Sequence, residues 1–299
     1  MYSVEDVSFS SSGDQIAGRL FIPERPAAQA AAFIAIGPVS FVKEQSPVQY
    51  ATRLARAGHV ALIFDPRGFG ASEGEPRLYD SPERKTQDVQ AAADFLLGRP
   101  EVEATRLTGL GICMGCNWMA QAVADDPRFR RAVLVAGAYS IRTRRIEQAG
   151  GEEAFAEQLA GARTAVERYE QDGTLDHHTM VAETMEQSYF SWAVPYHWYG
   201  MWTDPGPLAT YKGTWANRLA TISDHDHYAF DVAQAFARLT VPTLVINSTK
   251  SATPLPVVRD LVELLPGPDA RLIDTGDQIQ VQFYDDPITI DLAVDAIIN

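Results

Sequence analysis

Apolar residues follow two different rhythms along this chain. Residues 15–22 alternate apolar and polar positions and stop at Pro23, which is the pattern of a half-buried strand. Residues 31–36 and 59–64 are continuous apolar runs that end abruptly, the first at Gly37-Pro38 and the second at Asp65-Pro66-Arg67-Gly68. Similar runs cover 107–112, 132–135, 243–246 and 270–273. Strands apolar on both sides belong to a mostly parallel sheet covered on both faces. Between the runs, residues 48–57, 83–97, 117–124, 257–265 and 288–298 carry the helical period. Gly58 stands where the first helix must stop, and Pro82 and Pro287 where helices can start. Alternating strands and helices predict an α/β fold with an open, doubly wound, mostly parallel sheet. Such sheets bind ligands beyond the carboxyl ends of their strands.

The alternation fails between about residues 140 and 228. Residues 142–170 are charged and helical in pattern, and then come Tyr189-Phe190-Ser191-Trp192 and Tyr196-His197-Trp198-Tyr199, with Trp202 beyond. This predicts a helical, aromatic-rich cap insertion over 140–228, with a core assembled from 1–139 and 229–299. No repeat or long linker divides the chain further. So dense an aromatic cluster above a ligand-binding edge predicts a large apolar pocket, with Trp192, Tyr196, His197, Trp198 and Tyr199 in its wall. Packing within the cap must occupy some of them.

Charge narrows the function. Against 39 acidic residues stand 25 Lys and Arg, a net charge of −14, which disfavours phosphate backbones and anionic lipid. The first residues are acidic and lack a secretory pattern, and no apolar run approaches the ~18 residues of a membrane span. The expectation is a cytoplasmic enzyme with a hydrophobic small-molecule substrate, no nucleic-acid or membrane partner and no cofactor. A carrier-bound thioester substrate and a homodimer stay open. Two cysteines, Cys113 and Cys116, are too few for a disulfide framework.

Those cysteines carry the chemistry. Leu107 to Ile112 leads through Gly111-Ile112-Cys113-Met114-Gly115 into a helical pattern, which is a nucleophile elbow with cysteine in the nucleophile position. A sharp strand-to-helix turn needs glycine two residues before and after, where side chains would collide. Cys113 would sit at a helix N-terminus, a setting that favours thiolate. The Met114 N–H would form half of an oxyanion hole. The other half is expected from the Gly37-Pro38-Val39-Ser40 loop, at Val39, because Pro38 has no N–H. The Cys-x-x-Cys spacing also fits a redox pair or a zinc site, but there is no second cysteine pair and neither reading uses the glycines. No metal is expected.

These motifs resemble the α/β-hydrolase superfamily over nearly the whole chain. Asp65-Pro66-Arg67-Gly68-Phe69-Gly70-Ala71-Ser72-Glu73-Gly74 is similar to that superfamily's D-x-R-G-x-G-x-S-x-G loop. The Cys113 elbow resembles the dienelactone-hydrolase branch. Gly37-Pro38 followed by Lys43-Glu44-Gln45 resembles a loop of the subgroup containing fungal polyketide transferases. The resemblance implies an acid after the seventh strand and a histidine after the eighth. Here those positions fall near Ser251 and at Gln280, or Gln278 if the loop is shifted, and no histidine follows His227.

Without the histidine, an acyl-cysteine should hydrolyse slowly, which leaves it available for transfer of the acyl group to an alcohol or amine. Substitute bases are few. His197 could hang from the cap into the pocket, although packing is the simpler role for it. Asp224-His225-Asp226-His227 reads as a solvated polar loop, Lys43 and Glu44 as an ion pair fixing their loop, His59 as structural and His177-His178 as exposed. The leading expectation is acyl transfer or hydrolysis at an ester or thioester of a bulky, polyketide-like acid. A cyclase, lyase or isomerase in the same pocket, or a ligand-binding protein without turnover, are the rivals.

Overall fold

The computed structural model of the chain describes residues 1–28, 30–190, 198–202, 215–267 and 269–299. Its centre is an eight-stranded sheet in the order β1-β2-β4-β3-β5-β6-β9-β10. β1 (Tyr2–Ser11) and β2 (Asp14–Pro23) form an antiparallel hairpin turning at Ser12-Gly13, both in the left-handed region. β2 lies antiparallel to β4 (Val60–Phe64). From β4 onward, β3 (Ala32–Ile36), β5 (Leu107–Ile112), β6 (Arg131–Val135), β9 (Thr243–Asn247) and β10 (Ala270–Asp274) run parallel. β3, β4, β5 and β9 are buried along their whole length, as their unbroken apolar runs require. β1 had no sequence signal because most of its positions are exposed and polar.

Helices cover both faces. On one, Val89 and Leu96 of α2 (Pro82–Leu97) and Trp118 and Met119 of α3 (Gly115–Asp125) pack with Ile34 and Leu62. On the other, Tyr50 and Leu54 of α1 (Ser46–Arg56) and Ile290 and Ile297 of the C-terminal helix (Pro287–Ile298) pack with Phe33, Ile63 and Val133. The strand order reverses between β3 and β5. The crevice at their carboxyl ends is where the loops bearing Val39 and Cys113 meet.

Between β6 and β9 lie α4 (Arg142–Ala149), α5 (Glu152–Asp172), a two-stranded antiparallel sheet of β7 (His177–Thr179) and β8 (Arg218–Ala220), α6 (Ser223–Ala229) and α7 (Val232–Phe236). The charged stretch expected as one helical run is broken at Gly150 and Gly151, whose φ of 97° and 131° no helix accommodates. The Asp224–His227 stretch is a further correction. It lies on α6, not in a solvated loop, and its His227 is buried. No helix among the described residues is long and apolar enough to cross a membrane.

Candidate active site

The turn after β5 is built as its glycines demand. Cys113 has φ +58°, a conformation that costs a non-glycine residue energy and recurs at functional turns. A Cβ on Gly111 would lie 2.6 Å from the Gly115 carbonyl oxygen, and one on Gly115 would lie 2.4 Å from the Gly37 carbonyl oxygen. The two glycines therefore let the elbow close on itself and on the β3 loop. The Cys113 N–H donates to the Val135 carbonyl at 3.0 Å, and its carbonyl accepts from Cys116 and Ala138. Cys116 points beneath the turn, where its Sγ donates to the carbonyls of Gly111 and Val135. Both cysteines are free, and no metal-ligating cluster occurs among the described residues.

Cys113 is 4% exposed and opens onto a cavity of about 310 Å³. Val39, Met114, Tyr189, Phe190 and Ala252 share its wall. The Met114 N–H hydrogen-bonds the Cys113 sulfur, and the Val39 N–H has no partner among the described residues. Two amides thus stand beside the nucleophile position. The expectation of a helix-stabilised thiolate is overturned. Burial pushes the Cys113 thiol above its ordinary range, and hydrogen bonds from Tyr284, Met114 and Gln280 and the Lys85 charge only partly oppose it. Few helix-end dipoles offset the desolvation of a charge in a dry turn.

Gln280 and Ser251 are the positions at which the resemblance implies a histidine and its acid. Gln280 is buried against Cys113. Its Oε1 accepts the Ala252 N–H at 2.8 Å, and its Nε2 donates to the Ala136 carbonyl at 2.7 Å and to the Tyr284 hydroxyl at 3.1 Å. Gln278 lies outside this arrangement, its carbonyl held by Ser248 Oγ. Ser251 does not reach Gln280, because its Oγ pairs with Ser248 Oγ at 2.7 Å. A backbone amide orients the glutamine where a carboxylate would orient an imidazole. An amide side chain in this geometry holds Tyr284 and the cysteine in place but cannot take a proton.

A buried charged network stands at the other side of the β3 loop. Asp80 accepts the Ser40 N–H at 2.8 Å, pairs with Lys85 at 2.5 Å and meets His227 Nε2 at 3.2 Å. Burial favours the neutral acid, but Lys85 and His227 outweigh it and hold Asp80 well below the usual carboxylate range. In the neutral tautomer that places the proton on Nε2 toward the carboxylate, Nδ1 is an acceptor. Nδ1 faces the Tyr189 hydroxyl at 3.5 Å, and Tyr189 lines the Cys113 cavity.

The expected ion pair at Lys43 is present with an additional partner. Lys43 Nζ lies 3.1 Å from Glu44 and 2.7 Å from Asp65, and the Lys43 N–H also donates to Asp65. Burial would lower Lys43, but the two carboxylates outweigh it and keep the ammonium charged. This clips the loop after β3 to the loop after β4. His59 accepts the Ala31 N–H and packs on Phe33, a structural role. His177 is exposed, while His178 pairs with Asp224 at 2.6 Å.

Of the expected pocket residues, Trp192, Tyr196 and His197 lie outside the described residues. Trp198 and Tyr199 are buried and pack edge to face, ring centroids 4.5 Å apart. Trp198 also packs edge to face on Tyr284 and donates its indole N–H to Asp285 at 2.6 Å. Tyr199 stacks between Phe190 and Trp215. Neither is among the described residues that line the 310 Å³ cavity at Cys113, which Tyr199 approaches by stacking on Phe190.

Residues 46–199, just over half of the chain, match the family model of serine aminopeptidase, S33. The chain belongs to this family of α/β-hydrolases. Among curated relatives, the uncharacterized protein PA2218 of Pseudomonas aeruginosa is 39% identical over 40% of this chain and 33% of its own length. The polyketide transferase grgF of a Penicillium species is 30% identical over 44% of each chain. The thiohydrolase apmlB of Arthrinium phaeospermum is 34% identical over 26% of each. These matches span less than half of the relatives' lengths. The fold likeness is broader. The crystal structure of PA2218 superposes with a TM-score of 0.79 at 24% identity, covering 99% of this chain and 92% of that one. The structure of GrgF gives 0.73 at 19% identity, covering 98% and 97%.

Within this serine-named family, the elbow of the present chain carries cysteine. The structure brings the elbow, Val39, Met114 and Gln280 together, and Tyr189 enters the same cavity from the aromatic cluster. Sequence reasoning did not single out Tyr284, Asp80, Lys85 or the burial of His227. Tyr284 had a signal, one helical turn beyond Gln280. The Asp80–His227 contact, 147 residues apart in sequence, had none.

Proposed function

We propose that the chain is an acyl-transfer enzyme acting on thioesters of bulky apolar, polyketide-like acids, with ester cleavage as a related activity. The carrying observation is Cys113, held at φ +58° on a glycine-flanked elbow that faces a cavity also lined by Val39, whose N–H has no partner among the described residues. The polyketide transferase and thiohydrolase names of two relatives support the substrate class. The thiol of Cys113 attacks the thioester carbonyl. The oxyanion is taken by the N–H groups of Val39 and Met114, a type of donor whose loss costs about 2.7–4 kcal/mol elsewhere. The intermediate collapses as the carrier sulfur leaves with the proton that Cys113 gave up, so this exchange needs no histidine.

The second half-reaction does need a base, because an acceptor hydroxyl must lose its proton as it attacks the acyl-cysteine. Gln280 cannot serve. Tyr189, hydrogen-bonded to the His227–Asp80 pair, can pass its proton to His227 Nδ1 while it accepts the one released by the acceptor. The usual histidine and acid are replaced on this reading by a pair from a different part of the fold.

The test is intact-mass analysis after mixing the protein with octanoyl-N-acetylcysteamine. An octanoyl adduct localised to Cys113, absent from Cys113→Ala, is expected. Full turnover by Cys113→Ala without any adduct would instead favour a non-covalent reaction, a reading that the raised thiol pKa keeps open.

A further inference from the structure

A second cavity, of about 360 Å³, adjoins the first and shares Met114, Ala138 and Ala252 with it. Its chemistry differs. Arg144, Arg145, Gln148, Gln158 and Tyr228 line its outer part. Arg145 donates from Nη2 to Ser140 Oγ at 2.9 Å and lies over the Tyr228 ring at 5.3 Å, so its guanidinium is fixed and partly desolvated. No carboxylate lies within ion-pair distance of Arg145 or Arg144 among the described residues. Asp224 and Asp231 act on Arg145 only over a longer distance, Asp224 pairing with His178 and Asp231 capping α7 through the Ala233 N–H and accepting the Arg142 N–H. Arg142, on the same helix but outside this cavity, pairs with Glu152 at 3.1 Å.

Acidic residues exceed basic ones by 14 in this chain, so carboxylate partners for a surface arginine are abundant. Two adjacent arginines left without one, in a cavity that shares three wall residues with the one at Cys113, repel each other and are costly to desolvate. A bound anion would satisfy both, and the guanidinium fork suits a planar oxyacid group.

We propose that this outer cavity is an anion subsite that binds an oxyacid group of the substrate, while the inner cavity holds the scissile carbonyl at Cys113. The group is either a carboxylate at the far end of the acyl chain or a phosphate on the carrier thiol. The inference rests on the acyl-transfer reading for its orientation, but the binding it asserts does not need turnover.

The experiment therefore measures binding with unreactive thioether analogues, in which a methylene replaces the carbonyl. Octyl-N-acetylcysteamine is neutral, its ω-carboxy counterpart carries the charge on the chain, and octyl-phosphopantetheine carries it on the thiol side. Calorimetry on the unaltered protein should show one charged analogue binding about 10- to 100-fold more tightly than the neutral one, the range expected for hydrogen bonds to a charged group. Which one does so identifies the source of the anion. Arg145→Gln with Arg144→Gln should abolish the preference and leave the neutral analogue's affinity unchanged. Arg145→Lys should retain part of it, and rising salt should erode it. Equal affinities for all three analogues, or a preference surviving in the double variant, would overturn the subsite. An absent acyl-Cys113 with an intact charge preference would remove the acyl-transfer reading and leave the subsite standing.

Discussion

At the scale of the residue, Cys113 combines two opposed demands. The elbow exposes its sulfur to the cavity by forcing a left-handed backbone, while the packing that holds that backbone also removes water from the thiol. Desolvation prevails, and the resting form is the thiol. The sign follows directly. A raised pKa lowers the thiolate fraction at neutral pH, so reactivity must rise as pH climbs past the usual thiol value of about 8.5. Iodoacetamide labelling of Cys113 should therefore be slower at pH 7 than that of a free thiol and still be increasing above pH 9. Tyr284→Phe, which removes a hydroxyl that hydrogen-bonds the sulfur, should shift the profile further alkaline. A labelling midpoint below pH 8 would contradict the burial argument.

At the scale of the element, the loops at the carboxyl edge are fixed by buried charges. Asp65 ties the β3 loop to the β4 loop through Lys43, and Asp80 ties the same loop to α2 and α6 through Lys85 and His227. Replacing Asp80 by Asn leaves Lys85 as an uncompensated buried cation, which should cost about 3–5 kcal/mol in urea denaturation. Adding Lys85→Met should recover much of that loss. The folded-state pKa of Asp80 is depressed, so its contribution is complete above the unfolded value of about 3.9 and is lost as pH falls below it.

His227→Gln separates structure from catalysis. It keeps a donor for Asp80 but removes the nitrogen that accepts from Tyr189. Acyl-Cys113 formation should continue at its normal rate, while transfer to an alcohol slows by at least about 100-fold. Equal slowing of both steps would reduce the pair to a support for the loop. None of this was legible in the sequence, because an isolated Asp80 before a helix and a histidine in a polar run have ordinary local roles. The parallel strands and flanking helices were legible, since burial on both faces leaves unbroken apolar runs. The elbow was legible because its steric demands are met within five consecutive residues. The polar edge strand β1 and the broken helices between β6 and β9 left no such imprint.

At the scale of the molecule, the segment between β6 and β9 reaches the site through a few specific contacts. The Ala220 N–H donates to the Leu78 carbonyl, Trp198 donates to Asp285 beside Tyr284, and the Trp215 indole donates to the Ser40 carbonyl at 3.0 Å. The last contact bears most directly on catalysis. Ser40 is itself left-handed, at φ +51°, and follows Val39 in the loop proposed to hold the oxyanion. Its N–H is held by Asp80 and its carbonyl by Trp215, so the two peptide units flanking this left-handed residue are each fixed by a group distant in sequence. Trp215 also stacks on Tyr199, which stacks on Phe190 in the cavity wall. Trp215→Phe preserves the stacking but removes the donor, leaving the Ser40 carbonyl buried and unsatisfied at a cost of about 1–3 kcal/mol. If that carbonyl reorients and the left-handed Ser40 relaxes, the shift propagates back along the loop to the Val39 N–H, two peptide units upstream. The acylation rate should then fall about tenfold, while affinity for an unreactive thioether analogue, which has no oxyanion, stays the same. Rapid-quench measurement of acyl-Cys113 formation beside calorimetry on the same variant distinguishes this from general loosening, which would weaken both. Unchanged acylation in a variant that has lost stability would show that the oxyanion loop holds its shape without the indole.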